Sequence, residues 1–400
     1  MDTAADTGVI DAIVRRVFFI EDTTYGTPKD GYAIRYHGRL LGNDSARLYD
    51  QLAADLKPHG YTPLFRMDAG RQEIRLVQGV VDLDSPRKRL SMIMFVLTVL
   101  SVLFVGATYA ADGALPSSIE DVLGGLPFAI SLMAILSAHE FGHYLVGRKH
   151  GTPVSLPYFI PIPVPPFGTM GAFINMKAPP KNRNALLEIG MAGPLAGLVV
   201  AIPVLLLGLW LSPVEPIPAT TPPGMALTIE GNSLLYLFSK LLVHGQLLPA
   251  PASYDGLPPL LYWARYFFTG QPIPLGGTDV ILDPVAWAGW GGLLVTALNL
   301  IPAGQLDGGH ILYVLFGRRG AQRLLPIILV ALVGLGFFWN GWWLWVALIF
   351  FLVGRSYAEP LDQITPLDNR HKALAVLMLV VFLLVFIPVP FSVSLGAAAQ

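Results

Sequence analysis

The sequence predicts an α-helical polytopic membrane protein of about six to eight spans, with a re-entrant loop or hairpin, preceded by a small α+β domain. Three observations carry this. Only 13% of the 400 residues are charged while 54% are hydrophobic, where a soluble chain carries charge on about a quarter of its residues. Several apolar runs approach the length that crosses a hydrocarbon core. The first of them begins only after a long stretch of ordinary mixed composition, so no N-terminal secretory signal is expected.

Residues 1–87 read as the soluble domain. Val17–Ile20, Tyr32–Tyr36, Tyr61–Met67 and Glu73–Val77 have the alternation of short strands, and Asp44–Leu56 reads as an amphipathic helix capped by Asn43 or Asp44. No phosphate-binding loop occurs in it, and a regulatory partner could act there. Residues 88–400 form the membrane part, with a core over 90–320 and further spans over 321–400. Leu90–Ala110, Phe128–Val146, Leu186–Leu211 and Pro284–Leu300 are expected spans. Leu324–Trp339 and Trp342–Val353 form an expected hairpin around Asn340 and Gly341, and Ala373–Val389 is the last span.

Between the second and third spans, LPYFIPIPVPPFGTMGAFINM is strongly apolar yet too rich in proline for a helix. It must be sheltered by protein, because bare irregular backbone is not tolerated in lipid. Residues 212–282 form a Pro-rich connection, with Ser233–Val243 expected to lie on the membrane surface. Gly190, Ala192, Gly193, Ala196 and Gly197 open the third span with the small residues that let helices approach closely.

Basic clusters at Arg87–Arg89, Arg148/Lys149, Lys181/Arg183, Arg318/Arg319/Arg323, Arg355 and Arg370/Lys372 all fall on one side if seven spans alternate. That side is the cytoplasm, which places residues 1–87 there. The expected location is a bacterial cytoplasmic (inner) membrane, with the lipid bilayer as the chain's first partner. A formal net charge of −1 gives no sign of nucleic-acid binding. With no cysteine in the chain, disulfides and thiolate metal sites are excluded, and any metal must be held by His, Asp or Glu.

SAHEFGH, residues 137–143, sits in the second span. Its HExxH spacing puts His139 and His143 one turn apart on one helix face, and Glu140 beside them can serve as general base to a metal-activated water. The pattern should arise by chance in roughly three chains per thousand of this composition. Three ionisable groups inside a membrane are costly and point to function rather than packing. A catalytic zinc site takes three protein ligands, and Asp307 in NLIPAGQLDGGH is the leading third candidate. Glu188 and Asp283 lie at span ends, where a charge reaches water. His150 and His310 read as solvated or capping, and Trp339, Trp342, Trp343 and Trp345 as an interfacial belt.

HEFGH on one predicted membrane helix and NLIPAGQLDGG on a later one resemble the site-2 protease family of intramembrane zinc metalloproteases. The Pro-rich loop is similar to that of the photosynthetic-lineage branch. The resemblance implies one Zn2+ per chain held by His139, His143 and Asp307, with Glu140 activating water. It implies an endopeptidase that cuts transmembrane segments of membrane-protein substrates. Asn299 would help hold the substrate chain or, alternatively, hydrogen-bond between helices. Gly168, Thr169 and Gly171 lie in a stretch that would offer an edge for an added substrate strand or would plug the cavity. The PDZ module of many bacterial members has no counterpart in residues 212–282. A transporter using the same cluster is the competing reading.

Overall fold

Four helices in the computed structural model are long and apolar enough to cross a membrane. The structure describes all residues except 1–2, 28–29, 80–87, 112, 222–225, 354–356 and 396–400. Arg87 and Arg355 of the basic clusters therefore lie outside the described residues.

The N-terminal residues build a four-stranded sheet with helices on one face. Helix α1 (Thr3–Arg15) is followed by β1 (Phe18–Tyr25), β2 (Ile34–Leu40), α2 (Ser45–Leu56), β3 (Tyr61–Asp68) and β4 (Arg71–Gln78). The strand order is β1-β2-β4-β3, all neighbours antiparallel. Asp44 caps α2 by accepting from the Arg47 amide, satisfying a donor the first helical turn leaves open. Period-two alternation sends Ile34, Tyr36, Phe65, Ile74 and Leu76 into a core with Ile10, Val14, Tyr49, Leu52 and Leu56. Helix α1 is an addition to the elements expected from sequence; its interior half buries Ile10, Ile13 and Val14.

The helical part begins with α3 (Lys88–Ala110), the short α4 (Ile119–Gly124) and α5 (Leu126–Lys149). A hairpin of β5 (Tyr158–Pro161) and β6 (Thr169–Phe173) leads to α6 (Arg183–Leu211). Then come β7 (Val214–Pro216), β8 (Ala226–Glu230), α7 (Leu234–His244), α8 (Pro259–Thr269) and β9 (Thr278–Val280). Helices α9 (Pro284–Asn299), α10 (Asp307–Gly336), α11 (Gly341–Leu348) and α12 (Asn369–Val385) and strand β10 (Phe391–Leu395) complete the chain. A π-helical turn over Ile349–Val353 extends α11.

Helices α5, α6 and α9 pack most closely. A Cβ on Gly142 would fall 2.5 Å from the Ala192 carbonyl oxygen, and one on Gly289 2.7 Å from the Leu205 Cα. Small residues thus set these interhelical distances. Helix α10 has a break at Gly317, whose φ of 67° interrupts the helical backbone. The span expected at Leu324–Trp339 therefore starts earlier, at Arg318, and the residues before the break form a separate short helix led by Asp307.

The Pro-rich segment is a hairpin tied to α3 near its tip, while Val164, Met170 and Phe173 stay exposed, so the shelter expected of it is partial. Its tip carbonyl, Pro166, accepts from Tyr109 Oη at the end of α3 (2.6 Å), and Gly168 O accepts from Ser101 Oγ (2.6 Å). Phe167 stacks on Trp287 near the start of α9. Trp342 departs from the expected belt: it is buried, and its indole N–H donates to Pro388 O (2.6 Å). A buried indole needs such a partner.

Candidate metal centre

His139 and His143 lie in the second half of α5, both buried. Asp307 is the first residue of α10, where the loop after α9 turns back. Gly308 permits that turn: a Cβ there would meet the Leu300 carbonyl oxygen at 1.9 Å. The result brings three donors together. His139 Nε2 and His143 Nε2 are 3.2 Å apart. Asp307 Oδ2 is 3.4 Å from the first and Oδ1 3.3 Å from the second. Three donor atoms within 4.8 Å of one another match a small cation with bonds near 2 Å.

The surroundings fit a metal better than a plain ion pair. His143 Nδ1 donates to Ile189 O (2.7 Å), so its proton sits on Nδ1 and Nε2 keeps a free lone pair toward Asp307 and His139. Gly193 leaves the space Nε2 occupies, since a Cβ there would lie 2.0 Å from that atom. Gly197 similarly backs His139, at 3.3 Å. Glu140 is buried beside the triad, and its Oε2 has no hydrogen-bond partner among the described residues. A buried carboxylate oxygen left open is costly unless something binds there. Two His and one carboxylate, with no thiolate, suit zinc.

A cavity of about 740 Å³ opens onto these groups. Asn299 lines it, with Nδ2 3.4 Å from His139 Nε2. Its other walls are residues 172–180, Tyr357–Glu359, and Leu64 and Arg66 of the N-terminal sheet. Gly168, Thr169 and Gly171 are not among the lining residues. Gly168 packs on α3, and the Thr169 hydroxyl both donates to Ile160 O and accepts from the Gly171 amide. The part of the hairpin that faces the triad is its returning arm. There Asn175 and Lys177 pair with residues 153–155, and Met176 bridges Val154.

One other sequence reading changes, at His310, while His150 holds the capping place expected of it. His310 is neither solvated nor a cap: it is buried, lines the cavity and leaves Nδ1 without a partner among the described residues. Its place three residues after Asp307, on one helical face, was the available signal. His150 ends α5 and joins Glu188 (2.8 Å), which also meets His371 of α12 (2.9 Å). Glu188 thus ties three helices together. Arg66 and Leu64 carried no motif and became visible only through folding.

The model of Peptidase family M50 matches residues 127–338. The chain is 32% identical over 303 residues to "Probable zinc metalloprotease EGY2, chloroplastic" of Arabidopsis thaliana, covering 74% of this chain and 48% of that protein. It is 28% identical over 319 residues to "Probable zinc metalloprotease EGY1, chloroplastic" of Oryza sativa subsp. japonica, covering 75% and 50%. The corresponding EGY3 of the same subspecies is 26% identical over 323 residues, covering 80% and 51%. The chain spans about half the length of these relatives. No solved structure matches. A family match over more than half of the chain, running from the start of the HExxH helix past the LDG turn, makes this chain a member of Peptidase family M50.

Proposed function

We propose that the chain is an intramembrane zinc endopeptidase that cleaves transmembrane segments of other membrane proteins. The observation that carries this reading is the pairing of a two-His, one-Asp donor set with an unpartnered, buried Glu140 carboxylate at one cavity. His139, His143 and Asp307 would hold the metal, and a zinc ion there supplies Lewis acidity toward a peptide carbonyl and toward water. Glu140 Oε2 accepts a proton from the attacking water and later delivers it to the departing amine. His143 is held for its task by the Ile189 carbonyl, and Asn299 orients the chain near His139.

A substrate helix must unwind before its amides can react. The returning arm offers a route: Asn175 and Lys177 turn their backbone groups toward residues 153–155, while Ile174 and Met176 show no main-chain hydrogen bond among the described residues. An unwound substrate pairs there as an added strand. This moves the substrate edge from Gly168, Thr169 and Gly171 to residues 174–176. Residues 1–87 are taken as a soluble domain on the cytoplasmic side and 88–400 as the membrane protease, crossing seven times. Membership of a peptidase family does not favour the transport alternative.

The test is Glu140→Gln beside wild type on a model single-span substrate. Zinc should stay near one per chain while cleavage falls at least ~100-fold, the usual scale for losing a general base. Asp307→Ala should lose zinc. Normal cleavage by Glu140→Gln, or full zinc in Asp307→Ala, would sink the assignment.

A further inference from the structure

Strand β3 is an edge of the N-terminal sheet, and its outward main chain is not open. The Phe65 amide donates to Leu361 O (3.0 Å), and the Gln363 amide donates to Phe65 O (3.1 Å). The same short segment is held on its other side by the helical part. Leu361 N donates to Pro180 O (2.9 Å) and Asp362 N to Lys181 O (2.7 Å). Lys181 also pairs with Asp50 of α2 (2.5 Å), and Ser45 with Thr365 (2.8 Å). Leu361 and Ile364 pack against the sheet's own core. The sheet is therefore seated over the metal cavity by main-chain bonds rather than hung on a linker.

That seating exposes the sheet's second face to the cavity. Alternation along β3 sends Phe65 into the core and turns Leu64 and Arg66 the other way, where both line the cavity. Arg66 Nη1 donates to Phe65 O, Pro360 O and Leu361 O at 2.9, 3.0 and 2.8 Å. These bonds fix the guanidinium, and its Nε and Nη2 carry no hydrogen bond among the described residues. Two acidic side chains stand beside it and are engaged elsewhere: Glu359 by Arg318 (2.7 Å) and Gln363 (3.1 Å), and Glu73, directly opposite Arg66 across the β3–β4 pair, by Arg75 and His37. Arg66 therefore has a fixed position and makes no carboxylate ion pair of its own among the described residues, although the Glu359 charge acts on it. Ile174 and Met176, the unpaired edge, line the same cavity.

We propose that the N-terminal sheet is a wall of the substrate cleft, and that Arg66 selects substrates carrying an acidic residue in the juxtamembrane flank on this side. The inference rests on the protease reading. A chain paired along residues 174–176 runs between that edge and Leu64/Arg66 before leaving the enzyme. An Asp or Glu in this exit segment meets two aligned N–H donors of a preorganised guanidinium, the geometry arginine offers best. A Lys or Arg in the same place meets a like charge in a half-buried setting.

The probe is a fluorescent single-span peptide with the same flank at both ends, either Asp-rich or Lys-rich, in a neutral detergent. The receptor is the full-length, zinc-loaded Glu140→Gln protein, which binds without turnover. The Asp-flanked peptide should bind roughly tenfold tighter than the Lys-flanked one, with the ratio shrinking at high salt. Adding Arg66→Ala should bring the ratio near one, Arg66→Lys should keep a preference of the same sign, and Arg66→Glu should reverse it. If Arg66 serves only as a tie to residues 360 and 361, Arg66→Ala weakens both peptides equally and the ratio persists, which overturns the proposal. Equal binding of both peptides by the parent protein overturns it too. Failure of wild type to cleave either peptide strikes the protease reading instead and leaves the binding ratio to judge Arg66.

Discussion

At the residue scale, the centre depends as much on atoms that are missing as on its ligands. Gly193 faces His143 so closely that a methyl group would overlap Nε2, at 2.0 Å. The neighbouring helix wall thus doubles as the mould of the imidazole. Gly193→Ala must push the ring out of line with His139 and Asp307 or push α6 away from α5. We expect zinc affinity to fall by at least the ~10–100-fold seen when a ligand's support is removed. Helix content should hold, because alanine is the better helix former. Metal analysis after mild chelation, with circular dichroism as control, reads both. Full zinc retention would show that α6 yields and that the glycine merely allows close packing. The two His, Glu140 and Asp307 were legible from spacing and setting alone. Gly193's role was half-legible: small residues announced a close helix approach, but not that an imidazole lies in the gap. Arg66 was not legible, since nothing local separates it from the other arginines of the sheet; a contact with residues 360 and 361 is set by folding.

At the element scale, the Pro-rich hairpin and the connection after α6 show where sequence reading runs short. Proline excluded a helix over 153–166, but only the partners Ser101 and Tyr109 reveal which arm faces the metal. The connection over 212–282 looked like a loop with one surface helix. It is a cap with α7, α8 and two small sheets around a buried polar cluster. Glu230 of β8 accepts from Tyr236 Oη (2.8 Å). Asp279 of β9, Lys240 and Tyr236 of α7, and Tyr266 of α8 are its ionisable neighbours. Burial first, then the Asp279 charge, pushes the Glu230 carboxyl up to about 7, against the opposing pull of Lys240. A raised carboxyl means the folded state holds a proton that the unfolded chain releases. The contribution is complete below the ordinary carboxylate range, declines as pH rises toward 7 and is flat above. It amounts to about 1.4 kcal/mol for each tenfold difference in proton affinity between the folded and unfolded chain. Glu230→Gln keeps an acceptor for Tyr236 and removes the titration. Its melting temperature in detergent should therefore change less between about pH 5 and 7 than that of wild type. An unaltered pH slope would mean that Glu230 does not titrate there.

At the scale of the whole molecule, contacts between distant segments sort the helix ends into two groups. The end bearing the N-terminal sheet holds Lys181, the start of α6 and residues 360–365. Asn184 and Glu188 near the start of α6 meet Asp368 and His371 near the start of α12, so α12 leaves from that same end. Strand β10, after α12, pairs with β8, after α6. Phe391 of β10 also touches Trp287 and Trp290 near the start of α9 and Trp339 beyond α10. Those segments mark the opposite end. If α3, α5, α6, α9, the part of α10 after Gly317, α11 with its π turn, and α12 all cross, these contacts make them alternate at every step. Helices α9 and α11 are too short to be recognised as spans by length, so the seven crossings proposed above rest on these contacts rather than on hydropathy. The absence of cysteine makes the test clean, because one introduced thiol is the only thiol. Arg71→Cys lies at the exposed start of β4 and Leu260→Cys on α8, where the leucine is 84% exposed. In sealed vesicles of one orientation, a membrane-impermeant maleimide should label one variant from outside and the other only after permeabilisation. Labelling of both from the same side would break the alternation at α3, α5 or α6. It would also remove the ground for the cytoplasmic placement proposed for the N-terminal sheet.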